Sequence, residues 1–196
     1  MNRLEPREDA RLNRQRIIEA ARDVFREHGV AAEIREIAER AGLGVGTIYR
    51  NYPSKDDLII ALLDDALADL KFDTDGQGRS AIEEIESMLT QSLTLTSRYG
   101  WLIEAYLGGQ ISERCREAMK RKSLEFDVAN RYRGLLARGI ETGQLRPEID
   151  IEHTTALLLG ASSPWVNRHL LEKETPSAIA SCMLRALLVG IGAEAD

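Results

Sequence analysis

Apolar residues recur along this 196-residue chain at the three- and four-residue spacing of helix faces. Between Arg11 and His28 they fall at Ile17, Ala20, Ala21, Val24 and Phe25, the stripe of an amphipathic helix. Gly29 stands where a left-handed cap would close it. A shorter stripe of Ile34, Ile37, Ala38 and Ala41 stops at Gly42, and a short helical piece over about Val45 to Asn51 follows. Pro53 breaks the chain, and Ser54-Lys-Asp-Asp57 reads as a capping box opening a long helix with Leu58, Leu62, Ala66 and Leu70 on one face.

The polar, glycine-bearing stretch Asp73 to Arg79 is the expected hinge between two regions. Ser80-x-x-Glu83 is a second capping box, after which Ile82, Ile85, Leu89 and Leu93 resume the helical spacing until Tyr99-Gly100, where a break is expected before WLIEAYLGG. One long helix is predicted from about Ser112 to Thr142, another from His153 to Ser162, interrupted or kinked at Ser163-Pro164. Thr175-Pro176 supplies a cap and first-turn proline for the last helix, apolar through Ile179, Met183, Leu187, Leu188 and Ile191. No segment alternates with period two for long enough to make a strand. The predicted class is all-α, about nine helices, with a boundary near residue 55: a helix-turn-helix domain over 1–55 and a larger helical domain over 56–196.

Composition narrows the class. Hydrophobic residues are 43% and charged residues 30% of the chain, with five prolines, as expected of an ordinary soluble protein. No apolar run nears the roughly 20 residues of a membrane span, and the charged start MNRLEPRED lacks a signal-peptide core, so a cytoplasmic location is expected. The two cysteines, Cys115 and Cys182, form no CxxC pair, which fits a reducing compartment. Net charge is −6, but it is unevenly spread: residues 1–55 carry 11 Lys/Arg against 9 Asp/Glu and the remainder is acidic. A mildly basic head on an acidic body suits a protein offering one end to phosphate.

The two short helices around Ala41-Gly42-Leu43-Gly44 form the pattern of a helix-turn-helix, whose second helix fits a DNA major groove. At 100° per residue, Ile48 and Tyr52 turn inward. The opposite arc centres on Gly46 and Arg50, flanked by Val45, Thr47, Tyr49 and Asn51. That arc carries a guanidinium, a carboxamide and two hydroxyls, groups that base edges and phosphates use. Taken singly, Arg35 and Arg50 read equally well as solvated surface charges, and Tyr49 as a core aromatic.

The string Ile34-Arg-Glu-Ile-Ala-Glu-Arg-Ala-Gly-Leu-Gly-Val-Gly-Thr-Ile-Tyr-Arg-Asn-Tyr-Pro-Ser-Lys55, followed by Asp-Asp-Leu58, resembles the TetR family of bacterial regulators over about residues 11–60. The resemblance implies a DNA-binding, ligand-responsive regulator, a repressor that binds a palindromic operator as a homodimer and is released by a small-molecule effector. It implies DNA contacts from Arg35, Thr47, Tyr49 and Lys55, with Tyr49 and Lys55 toward phosphate. Sequence preference would come from Val45, Gly46, Arg50 and Asn51. Two departures stand out: Glu33 and Gly44 replace the Ser/Thr usual at those places, removing two hydroxyls. They leave open an alternative, an all-helical dimeric ligand-binding or adaptor protein without DNA binding. The arginines Arg3, Arg7, Arg11, Arg14 and Arg16 could form a minor-groove arm or a plain tail.

The resemblance also implies dimerisation through the last two helices. Ala156, Leu157, Leu158, Leu159 and Gly160, and Ala186, Leu187, Leu188, Val189 and Gly190, are more apolar than a one-sided surface helix needs, though a buried core would read the same way. An effector pocket is implied within the second domain, with Trp101, Tyr106, Gln110, Tyr132 and Trp165 as candidate lining. Asp73-x-Asp75-x-Gln77-Gly78 with Glu84 nearly spells a calcium loop, but Gln77 and Ser80 break the pattern. With no nucleophile elbow, phosphate loop, HxxxH or catalytic carboxylate pair, neither an enzyme, a metal nor a cofactor is expected.

Overall fold

In the computed structural model, residues 6–68, 70 and 78–189 are described. Among them the secondary structure is entirely helical: α1 (Pro6–His28), a 3-10 turn (Gly29–Ala31), α2 (Ile34–Ala41), α3 (Val45–Asn51), α4 (Lys55–Ala68), α5 (Ala81–Leu107), α6 (Glu113–Phe126), α7 (Val128–Glu141), α8 (Ile151–Ala161), α9 (Pro164–Leu171) and α10 (Pro176–Val189). The expected hinge and calcium-like loop at Asp73 to Gln77 lie outside the described residues, as do Arg3, Gly190 and Ile191. None of the described helices is long and apolar enough to cross a membrane.

The chain forms two compact units, one of residues 1–69 and 101–122, the other of residues 70–100 and 123–196. In the first, α1 packs on α2 and α4, and α2 on α3. The predicted stripe of α1 is the one it buries: Ile17, Ala20, Ala21, Val24 and Phe25 are all inaccessible or nearly so, as are Ile37, Ala38, Ile48, Leu58 and Leu62. The Phe25 ring lies 5.0 Å from that of Trp101, tilted by 36°, within the favourable range for aromatic pairs.

The second unit centres on Ile85, Met88, Tyr132, Leu136, Leu145, Leu158 and Leu184, with a smaller cluster of Leu89, Leu93, Ile179 and Ala180. The Glu84 carboxylate, nearly buried, accepts a hydrogen bond from Arg138 at 2.6 Å. Gly139 permits a close approach: a Cβ there would stand 2.7 Å from a Leu145 methyl.

Three expectations change. Tyr99-Gly100 does not break the chain, and α5 runs through it. One interior glycine costs only about 1 kcal/mol, Tyr99 and Leu102 are buried on either side, and Gly100 leaves room for Pro164, whose Cβ would meet an added methyl at 3.2 Å. The single helix expected over Ser112 to Thr142 is two, because Asp127 turns left-handed (φ 36°) and caps α7 by accepting the Asn130 N–H at 3.3 Å. Ser163-Pro164 starts a separate helix, α9. The buried Asn167 donates to the carbonyls of Ala161 and Ser163 and closes the joint.

Candidate nucleic-acid interface

The geometry of the helix-turn-helix follows from its turn. Gly42 adopts φ +64°, a conformation that L side chains rarely take, and its N–H and that of Leu43 return to the last carbonyls of α2 at Glu39 and Ala38. Arg16 of α1 donates to the Ala41 carbonyl at 2.7 Å, and a Cβ on Gly42 would lie 3.0 Å from that guanidinium. The turn therefore needs glycine for its dihedral, and a side chain there would also press on the Arg16 guanidinium. Nothing local in the sequence marks Arg16, because its partner is 25 residues away.

The start of α2 is held without the hydroxyl that Glu33 replaced. The Glu36 carboxylate accepts the Glu33 N–H at 2.7 Å and meets His28 Nδ1 at 2.6 Å. These contacts, the backbone one first, hold the Glu36 carboxyl below its ordinary range. Arg40 forks onto Glu27 at 3.1 and 2.7 Å, joining α2 to α1. At α4 the expected capping box is present: Asp57 accepts from the Ser54 N–H and hydroxyl, and the Ser54 hydroxyl accepts the Asp57 N–H. Asp57 also takes a hydrogen bond from Arg114 in the first turn of α6, and Asp56 one from Ser112 just before it, so the start of α4 is tied to the start of α6.

On α3, Ile48 is fully buried and Tyr52 half-buried, as the helical projection requires. Val45, Gly46, Tyr49 and Arg50 are exposed, Thr47 and Asn51 half-exposed. The Asn51 amide donates to the Thr47 carbonyl at 2.9 Å, so one of its N–H groups is engaged within the helix. Arg35 is well exposed on α2, 3.8 Å from the Glu33 carboxylate. Arg35 and the α3 arc thus lie on one unit, with hydrogen-bonding groups open to solvent.

Lys55 is placed differently. Its ammonium donates to the carbonyls of Val30 and Ala32 and lies 5.6 Å from the centre of the Phe25 ring. Burial pushes its pKa down, against the opposing pull of Glu36, Asp56 and Glu33. Two of three N–H donors therefore serve the link between α1 and α2, a partnership the sequence does not signal.

The five expected pocket residues do not fall in one unit. Trp101, Tyr106 and Gln110 belong to the first: Trp101 is buried, Tyr106 half-buried with the Arg116 guanidinium 5.5 Å from its ring, and Gln110 exposed. Tyr132 and Trp165 belong to the second. Tyr132 is fully inside the core, where burial pushes its phenol up to about 12, whereas Trp165 is 68% exposed. The second unit also holds a small apolar cleft of about 40 Å³ lined by Ile85, Leu136, Leu158, Leu184, Leu187 and Leu188, among others, and by none of those five. Among the described residues no three His, Cys, Asp or Glu side chains group as metal ligands.

Residues 17–62 match the family described as bacterial regulatory proteins, tetR family. An HTH-type transcriptional regulator of Bacillus subtilis, YdeS, is 32% identical over 148 residues, 74% of this chain and 73% of the relative. A transcriptional regulator of the TetR/AcrR family from Thermobifida fusca is 30% identical, with a TM-score of 0.62, over 92% of this chain and 98% of that one. The transcriptional regulator FadR of Bacillus subtilis, solved in complex with stearoyl-CoA, shares the fold at 23% identity and a TM-score of 0.65, over 91% of this chain and 99% of that one.

Proposed function

Because the chain belongs to the TetR family of bacterial transcriptional regulators, we propose that it is a cytoplasmic repressor that binds a palindromic operator as a homodimer and is released by a small-molecule effector. The observation that carries this reading is the open face of α3 beside Arg35, on a turn stiffened by Gly42, Arg16 and the Glu36 cap. In this reading residues 1–55 bind DNA and residues 56–196 bind effector and dimerise.

Thr47, Val45, Gly46, Arg50 and Asn51 face base edges, and Tyr49 and Arg35 take phosphates. Lys55 acts chiefly as an internal anchor, its third N–H left for phosphate. A seven-residue reading helix offers few contacts, so two half-sites are needed for useful affinity. The apolar residues left exposed on α8 and α10 (Leu157, Leu159, Leu187, Leu188, Val189) support a second copy as the cover for those helices.

The effector reading rests on the apolar cleft of the second unit, whose lining residues Ile85, Leu136 and Leu158 share a core cluster with Tyr132. FadR, solved with stearoyl-CoA, has the same fold, which favours an effector with an apolar part. The effector acts by favouring a spacing of reading heads that no longer fits the half-sites.

A gel-shift titration over several salt concentrations, using DNA from upstream of the chain's own coding region, tests the proposal. A discrete complex whose affinity falls steeply with salt is the expected result. Binding to no DNA, with no salt slope, would sink it.

A further inference from the structure

We infer that Arg50 sets the base preference of each half-site and that the base it selects is guanine; the inference rests on α3 entering the major groove. In the first unit the cations of the helix-turn-helix are mostly committed elsewhere. Arg16 holds the Ala41 carbonyl, Arg22 pairs with Asp65, Arg40 forks onto Glu27, and Lys55 holds Val30 and Ala32. Arg35 sits beside the Glu33 carboxylate. Arg50 is the cation on α3 itself, exposed, with no hydrogen-bond or ion-pair partner among the described residues. A guanidinium with free donors keeps its full fork for a ligand.

The helix around it favours a base over a phosphate. Helical side chains lean toward the N-terminus, so the Arg50 stem runs over the turn that starts at Gly46, four residues earlier. A Cβ at Gly46 would meet nothing within 4 Å, so the centre of the reading face is bare backbone over which the stem can extend. Asn51, whose carboxamide would suit adenine, has one donor tied to the Thr47 carbonyl. The Arg50 guanidinium offers two parallel N–H groups on this face, and they match guanine O6 and N7, a pairing worth about 1–3 kcal/mol of discrimination.

Selection from a random DNA library with the full chain, repeated with Arg50→Ala and Arg50→Lys, tests this. The wild type should enrich a palindrome with one near-invariant guanine per half-site. Arg50→Ala should lose preference at that position alone, by about 5- to 150-fold. Arg50→Lys keeps the charge but not the fork, and should lose the guanine while keeping the salt slope. Melting curves matching wild type will show that both variants fold. If Arg50→Ala weakens every sequence equally and lowers the salt slope by about one, Arg50 is a phosphate contact and the inference fails. A palindrome unchanged by either variant also overturns it, while leaving the DNA-binding reading intact. Failure of the wild type to enrich any sequence overturns both.

Discussion

Lys55 donates to the carbonyl of Ala32 at 2.7 Å, joining the first residue of α4 to the backbone that precedes α2. A basic residue at a helix start beside a DNA-reading motif is most simply read as a phosphate ligand. Here its ammonium also caps carbonyls that no helix satisfies, close to the Phe25 ring. Lys55→Met should therefore lower the stability of the free protein by about 1 kcal/mol, the usual scale for hydrogen bonds to a half-exposed charged group. Urea unfolding without DNA is the measurement. An unchanged midpoint would show that the two carbonyl contacts contribute nothing net, and would return Lys55 to a phosphate role alone.

Acid should loosen the reading head at its helix starts. The Glu36 carboxyl is held low by the Glu33 N–H and then His28, and that of Asp57 by the Ser54 hydroxyl and then Arg114. For carboxyls whose folded values are depressed, the added stability is fully present above the unfolded value and is lost as pH falls through the folded one. The ordinary values are 4.5 for Glu and 3.8 for Asp, so the loss should begin near pH 4.5 and continue below it. Urea midpoints at pH 6 and pH 3 should differ by less in Glu36→Gln than in wild type. Equal differences in the two proteins would exclude Glu36 from the acid response.

The first four helices and their turn were legible in the sequence because local chemistry decides them. The stripe of Ile17 to Phe25 is the buried face, the Ser54 and Asp57 pair is a cap, and Gly42 takes the left-handed turn. What the sequence hid depends on contacts between distant residues. Gly100 reads as a breaker until Pro164 is seen against it, and Asp127 carries no sign that its φ will turn positive. The site divides the same way. Helical projection found which residues of α3 are exposed, but not that the Asn51 amide and the Lys55 ammonium are engaged with backbone carbonyls. Pocket residues were the least legible, since aromatics at helical spacing look alike whether in a core, as Tyr132 is, or exposed, as Trp165 is.

Charges placed on the bare faces of α8 and α10 should separate the dimer without unfolding its subunits. Leu157 is 58% exposed and Val189 84%. Exposed substitutions usually move intrinsic stability by less than about 0.5 kcal/mol. The double variant Leu157→Glu, Val189→Glu should sediment as a monomer with unchanged helical circular dichroism, and bind operator at least about tenfold more weakly. A variant that stays dimeric would move the interface to another surface.

Gly46 offers a trade of stability against function. It occupies the second position of α3, is exposed, and an added Cβ would meet nothing within 4 Å. Replacing a helical glycine by alanine relieves backbone entropy, so Gly46→Ala should raise stability by up to about 1 kcal/mol, less near a helix end. The same methyl would stand on the face proposed to meet the base pairs and hold the helix off the groove floor. Operator affinity should therefore fall while the melting temperature rises, which calorimetry and gel-shift titration of the one variant can measure together. Tighter melting with unaltered operator binding would show that position 46 does not approach DNA, and with it that the exposed arc of α3 is oriented differently from the reading proposed here.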